Sequence, residues 1–564
     1  EEGLPTKKKF FNKLKNEAVD DKDYEHAENV YKTMKCKNFG DYHDIYLKCD
    51  VLLLADIFEE FRKTTYNLHS LDPCQYYTAP GLFWDAMLKM TKVQLDGIYD
   101  YDMLEMFEKC KKGGLTFVGG KRYVQANNKY LKDFNKEEIS NFIVYMDMNN
   151  LYGGAMCMKL PTGNFKFVEK SRTFLKCYKS MENSKGYMIE ADYEFPESCH
   201  DKLKDYIPLP ENIGVKYDML SDYQKEICGK TNVAGSKVLS KKLVPHFNIH
   251  KNYVCHIENH QRALDLGVVC SKIHRVLEFD HSTWMKPYID FNTQLRTKAK
   301  NDFEKDYYKL ANNSCFGKTM ENIRNRVNLN FTYDDKKILK WQSEQTFKSG
   351  QMMDGLYVCE KERFSFTYDK PLYVGCCVLD LSKCMMQDFH YNHMQKLYGD
   401  RQEIIYSDTD SIVYNIKCDD YYKDMMEHKD KYDLSNSKVP EFFNSENKKI
   451  VGKMKDETSM LPIKEFIALS PKCYSYKIDG DNMDHLKCKG VSTTAQKSMK
   501  FDNFKNTLDT NKKVIKEVQG LRSYHHHIYH LVQNKIALSS YYDKMYMLDA
   551  INSLPYGHYK INQN

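Results

Sequence analysis

Not one Cys-x-x-Cys pair occurs among the 18 cysteines of this chain. Zinc ribbons and clustered-cysteine metal sites draw their thiolates from such pairs, so both are excluded. Long apolar runs are missing too. None exceeds the length of Val51–Ala55, far below the ~20 residues of a membrane-spanning helix, and no membrane partner is expected. No basic-then-apolar leader opens the chain. Scattered thiols without a leader point to a reducing compartment and free cysteines. The first residue is Glu1 and not Met, which reads as a fragment or a processed product. Strong charge of one sign is also absent. The net charge of +6 is too mild to establish nucleic-acid binding by itself.

What is present is a globular composition, 29% charged and 42% hydrophobic over 564 residues, long enough for several subdomains. Positive charge is concentrated locally. Arg296 to Arg326 carries eight Lys or Arg against four Asp or Glu.

The chain is organised around Ile404-Ile405-Tyr406-Ser407-Asp408-Thr409-Asp410-Ser411-Ile412-Val413-Tyr414. Two β-rich runs flank a short acidic turn, the pattern of a hairpin with carboxylates at its tip. Asp408 and Asp410 have nothing basic beside them and repel each other unless a cation lies between, and hard Mg²⁺ suits carboxylate oxygens. A third carboxylate ends a second apolar run, Phe142-Ile143-Val144-Tyr145-Met146-Asp147, before the turn formers Asn149, Asn150 and Gly153.

These two stretches resemble the YxDTDS and DxxSLYP motifs of family B DNA polymerases, the second more closely in the DxNNLYG form of Polinton (Maverick) transposon and linear-plasmid enzymes. Lys309-Leu310-Ala311-Asn312-Asn313-Ser314-Cys315-Phe316-Gly317 resembles the Kx3NSxYG motif of the fingers, with Phe316 in place of Tyr. Lys472-Cys473-Tyr474 resembles the KxY motif, and Lys487 to Gly490 adds a second basic turn. Lys111-Lys112-Gly113-Gly114 falls where the family has its YxGG template loop, without the tyrosine, and Arg122-Tyr123 and Ala126-Asn127-Asn128 extend the likeness. Near the start, Tyr46-x-x-x-Asp50 is similar to the third motif of the attached 3′–5′ exonuclease. It lies in a helix from Asp41 to Phe58 that we expect to bury its broad apolar face.

The resemblance implies an α+β, multidomain right hand, with antiparallel palm, helical fingers and small thumb behind the C-terminal remnant of an RNase H-like exonuclease domain. The implied divisions are an exonuclease tail at 1–70, linker and palm start at 71–160, an insertion contacting a priming terminal protein at 161–284, fingers at 285–329, a second insertion at 330–368, palm at 369–495 and thumb at 496–564. Residues 1–40, opening with Lys7-Lys8-Lys9, read as a solvated arm. The acidic residues of Glu190-Ala191-Asp192-Tyr193-Glu194 read as a solvated strand face. His525-His526-His527 with His530 is not read as a metal site, since neighbouring positions point in different directions.

By the same resemblance, two Mg²⁺ would be held by Asp147 and Asp410, with Asp408 auxiliary. The nucleotide would meet Tyr152, Arg296, Lys309, Asn313 and Phe316. Primer-template DNA would meet Lys112, Gly113, Gly114, Ser314, Gly317, Lys472, Tyr474, Lys487 and Lys489. Partners would be template-primer DNA, dNTPs and a terminal protein, acting on a monomer. Three rivals remain open. A reverse transcriptase expects adjacent aspartates after the tyrosine, an RNA polymerase lacks its own acidic signature here, and a decayed transposon relic would bind DNA without catalysis.

Overall fold

The computed structural model describes residues 3–168, 185–231, 240–524 and 527–563. His525 and His526 of the histidine run lie outside them. The expected mixed α and β architecture is present, and most sheet pairing is antiparallel.

In chain order the first strands are β1 (Thr116–Val118), β2 (Tyr123–Gln125) and β3 (Asn141–Met148). Next come β4 (Leu160–Val168), β5 (Lys185–Glu194), the ribbon β6 (Glu211–Ile213) and β7 (Lys242–Val244), then β8 (His250–His256) and β9 (Val269–Ser282). A small sheet follows, β10 (Asn328–Thr332), β11 (Phe347–Met353) and β12 (Leu356–Lys361). The acidic hairpin is β13 (Gln402–Asp408) and β14 (Ser411–Lys417), trailed by β15 (Met454–Asp456), β16 (Ile463–Ser470), β17 (Cys473–Ile478) and β18 (Asp484–Cys488). A long hairpin, β19 (Val514–Tyr524) and β20 (His527–Leu538), precedes the C-terminal segment.

The central sheet runs β1-β13-β14-β3-β16-β17-β18, with β15 also on β3 and β2 on β16. Its middle strands are buried on both faces. On β3, Phe142, Val144 and Met146 enter one core while Ile143 and Tyr145 enter another. On β14, Ile412, Tyr414 and Ile416 join the first core and Val413 the second. Two-sided burial explains why these strands are continuous apolar runs rather than alternations. The helix Leu372–Gln387, apolar around most of its circumference and almost wholly buried, runs through a third core.

A second sheet, β4-β9-β5-β8, is built from strands between Leu160 and Ser282. The helices Lys286–Lys298 and Asp302–Thr319 form the predicted helical stretch and pack against each other and against Ala79–Thr91. The C-terminal segment leaves β20 and returns to the central sheet, where Tyr542 Oη accepts from Val118 N at 2.9 Å.

Two expectations are corrected. The helix Phe39–His69 forms, capped by Asn38, but Leu52 and Leu54 are each 66% exposed and Val51, Leu53, Ile57 and Phe58 are also open. Among the described residues nothing covers that face. Its C-terminal end is anchored, by Thr65 and Phe61 on Tyr307. On β5, Glu190 is buried and not solvated, held by Arg275 Nε and Lys109, and Asp192 is paired with His274.

Candidate active site

Register brings the predicted carboxylates together. β14 pairs antiparallel with β3, setting Ser411 opposite Asp147, and Met148 N donates to the Asp410 carbonyl at 2.7 Å. The hairpin tip is tight. Thr409 takes a left-handed φ of 64°, a conformation a β-branched residue adopts only when its surroundings hold it. The loop before β1 supplies that hold, for Thr409 N donates to Leu115 O at 2.9 Å. A Cβ on Gly114 would run into the Thr409 side chain, whereas one on Gly113 would meet nothing.

Burial and the neighbouring Asp410 and Glu457 push the Asp147 carboxyl up to about 7, against the pull of Lys455 and Lys309. Asp410 is also raised, by burial first and then by Asp408. Two half-buried carboxyls at adjoining strand ends, both raised and Asp147 in part by Asp410, are a hard-oxygen donor set, which fits Mg²⁺. Asp408 differs. Lys472 Nζ donates to its two oxygens at 2.5 and 2.7 Å, and Thr116 Oγ1 donates at 2.8 Å.

The turn after Asp147 explains its own sequence. Asn149 Nδ2 donates to Asp433 at 2.7 Å. Asn150, at φ 48°, caps the helix Leu151–Met156 by accepting from Gly153 N, and a side chain on Gly153 would collide with it. Leu151 is buried. That fixes Tyr152, whose ring stacks on Phe316 at 4.5 Å between centroids and 17° between planes. Burial, then Asp410 and Asp408, raise the Tyr152 phenol to about 12, so it stays neutral beside the acids.

On the helix Asp302–Thr319, Lys309, Asn313 and Gly317 are exposed and share one face by their four-residue spacing. Arg296 is half-buried, its Nε without a hydrogen-bond partner. Lys449 is lowered by burial and then by the charges of Arg296 and Lys305, so these cations converge. Lys449 N donates to Asp433, which joins this cluster to Asn149.

Several predicted contacts are not surface groups. Lys112 is buried, donating to Val254 O at 3.0 Å over the Tyr253 ring, so it has no free face for a phosphate and the exposed neighbour is Lys111. Ser314 points inward, its Oγ buried and unpartnered. Tyr474 is in the core and shares a 2.9 Å hydrogen bond with Tyr145. These three are corrected as DNA contacts, because local sequence does not say which side of an element faces out. Lys487 and Lys489 are exposed. Tyr46 and Asp50 lie one turn apart on the open face of Phe39–His69.

Sequence reasoning missed Thr116, Asp433, Lys449, Lys455, Glu457 and Lys544. Lys544 donates to Thr116 O at 2.7 Å, and burial first, then Lys242, lowers its amine to about 8. It lies 428 positions from Thr116 in sequence, and nothing local signals the contact.

Solved structures similar to the chain include phi29 DNA polymerase in an orthorhombic crystal form, with a TM-score of 0.50 and 16% identity over 82% of this chain and 68% of that chain. Phi29 DNA polymerase complexed with primer-template DNA, a post-translocation binary complex, matches with a TM-score of 0.50 and 15% identity over the same shares. At that identity the likeness is one of fold. No curated protein matches the chain in sequence. The family model for DNA polymerase type B, organellar and viral, matches residues 4–358, more than half of the chain. This chain therefore belongs to the organellar and viral type B DNA polymerases and is a DNA-directed DNA polymerase.

Proposed function

We propose that the chain extends a DNA primer on a template with two Mg²⁺ held by Asp147 and Asp410, and that it replicates a linear element of the Polinton or Maverick type from a terminal-protein primer. The observation that carries the chemistry is the pair of half-buried carboxyls brought together by the β3–β14 register, each raised by its surroundings. When bound, the ions activate the primer 3′-OH and neutralise charge on the triphosphate. Asp147 and Asp410 bind through hard carboxylate oxygens. Asp408, held by Lys472 and Thr116, shapes the hairpin tip. Lys309, Arg296 and Lys449 attract the triphosphate, where negative charge grows as pyrophosphate leaves. Tyr152, fixed on Phe316, lies against C2′ of the incoming sugar and excludes a hydroxyl. Lys487 and Lys489 meet primer-strand phosphates without reading sequence.

The DxNNLYG and Kx3NSxFG forms support the transposon-type assignment, and β4-β9-β5-β8 is the proposed terminal-protein surface. Regions 285–329, 369–495 and 496–564 act as fingers, palm and thumb. Primer extension tests the reading. Asp147→Asn or Asp410→Asn should lower extension about a thousandfold or more, several kcal/mol at about 1.4 kcal/mol per decade, with template-primer binding largely kept. Near-normal extension by either variant would overturn the active-site assignment.

A further inference from the structure

Away from the carboxylate pair, Glu211, His246 and His250 converge. One ligand atom from each lies within 4.8 Å of the others, the one such three-residue group among the described residues. Glu211 opens β6, His250 opens β8, and His246 lies between β7 and β8. His246 is 2% exposed and His250 0%, while Glu211 is half-buried.

The contacts are close but poorly satisfied. His246 Nε2 is 3.3 Å from Glu211 Oε2, yet it has no hydrogen-bond partner, and neither has His250 Nδ1. The opposite nitrogens, His250 Nε2 and His246 Nδ1, are 3.3 Å apart. Buried ring nitrogens left unpaired need an explanation. Two ligands on one tetrahedral ion, each bound at about 2.1 Å, stand roughly 3.4 Å apart, close to the separations seen here. The two separations use different nitrogens of His246. Closing one nitrogen of each histidine and a Glu211 oxygen, already within 4.8 Å of one another, on one centre therefore requires a ring to turn. Two imidazoles and one carboxylate suit a borderline cation such as Zn²⁺ better than Mg²⁺, and the half-exposed Glu211 side leaves room for water as a fourth ligand.

We propose that Glu211, His246 and His250 form a Zn²⁺ site, separate from the polymerase centre, that ties the β6–β8 region to the C-terminal segment. The tie follows from what His246 touches. It forms a parallel bridge with Tyr556, and Phe247 N donates to Tyr556 O at 2.8 Å. The same segment supplies Asp543, which accepts from Lys242 at the start of β7, and Lys544, which supports Thr116 beside Asp408. An ion here would brace the back of the catalytic hairpin without joining the chemistry.

Co²⁺ titrated into the whole chain after dialysis against a chelator tests this. One equivalent should give the visible d–d bands of a four-coordinate nitrogen and oxygen site, with no thiolate charge-transfer band, and Zn²⁺ should displace them. His246→Ala and His250→Ala should each abolish the bands and the rise of several degrees in Tm that Zn²⁺ gives the unmodified chain, while Mg²⁺-dependent primer extension at low temperature survives. An octahedral spectrum, a thiolate band, or bands that persist in both variants would overturn the proposal. So would silence in the unmodified chain, which would leave a metal-free Glu211–His246–His250 hydrogen-bond relay. The unmodified chain's spectrum decides the matter even where a variant fails to fold.

Discussion

Asp147 holds its proton up to about pH 7 in the folded, metal-free chain, whereas an unfolded Asp releases it near 3.9. Between those values the folded state binds the extra proton, so this residue's contribution to stability falls as pH rises from about 4 to 7 and stays low above. Asp147→Asn carries no such penalty. Without metal, its Tm advantage should be small near pH 4 and largest above pH 7, and differential scanning calorimetry across that range checks the sign. Tyr152 gives a second residue-scale expectation, because its ring is pinned on Phe316. Tyr152→Val should raise ribonucleotide use relative to deoxynucleotide use about a hundredfold, a few kcal/mol of shape discrimination. Competitive single-nucleotide incorporation measures it, and an unchanged ratio would remove Tyr152 from the sugar pocket. Lys472 complicates a simple division between primer and nucleotide sites. It is bonded to Asp408, so Lys472→Ala should lower kcat as well as flatten the salt dependence of DNA binding. Lys309→Ala should raise KM for dNTP and lower kcat with the salt slope unchanged.

At the scale of elements, sequence signals were good where they were local and poor where they depended on what packs across. The β13–β14 hairpin and the strand ending in Asp147 are visible because apolar β-formers stop at turn residues, and the register then places the acids without further information. Which side of an element faces inward was not visible for Lys112, Ser314 or Tyr474, since a lysine stem, a serine and a tyrosine each suit either environment. The glycines offer an element-scale test. Gly317 is a poor helix former inside a helix that runs unbroken to Thr319, and a Cβ at Gly317 meets open space. Gly317→Ala should stabilise the free chain by up to about 1 kcal/mol while weakening extension, if DNA approaches that face closely. A higher Tm with full activity would take Gly317 out of the DNA site. In the loop before β1, Gly114→Ala must displace Thr409 and should impair extension far more than Gly113→Ala, whose added methyl touches nothing.

For the whole molecule, the order of motifs along the chain foretold the layered α and β fold, but not the return of the C-terminal segment to the hairpin's back. That return rests on contacts such as Tyr542 with Val118 and Lys544 with Thr116, whose partners are too far apart in sequence for any local pattern to show. The same scale bears on proofreading. Two-metal hydrolysis of a primer end needs several carboxylates around one pair of ions. Asp50 and Tyr46 lie on an open helix face whose apolar neighbours Leu52 and Leu54 are uncovered, and the described residues hold no three-residue ligand group that includes Asp50. A lone exposed carboxylate binds Mg²⁺ weakly and cannot orient an attacking water. We therefore expect the 564-residue chain to extend primers without measurable 3′–5′ degradation. A mismatched, 3′-labelled primer incubated with Mg²⁺ and no dNTP should keep its length. Shortening that persists in Asp147→Asn and disappears in Asp50→Ala would show that the open face of Phe39–His69 is a working exonuclease centre after all.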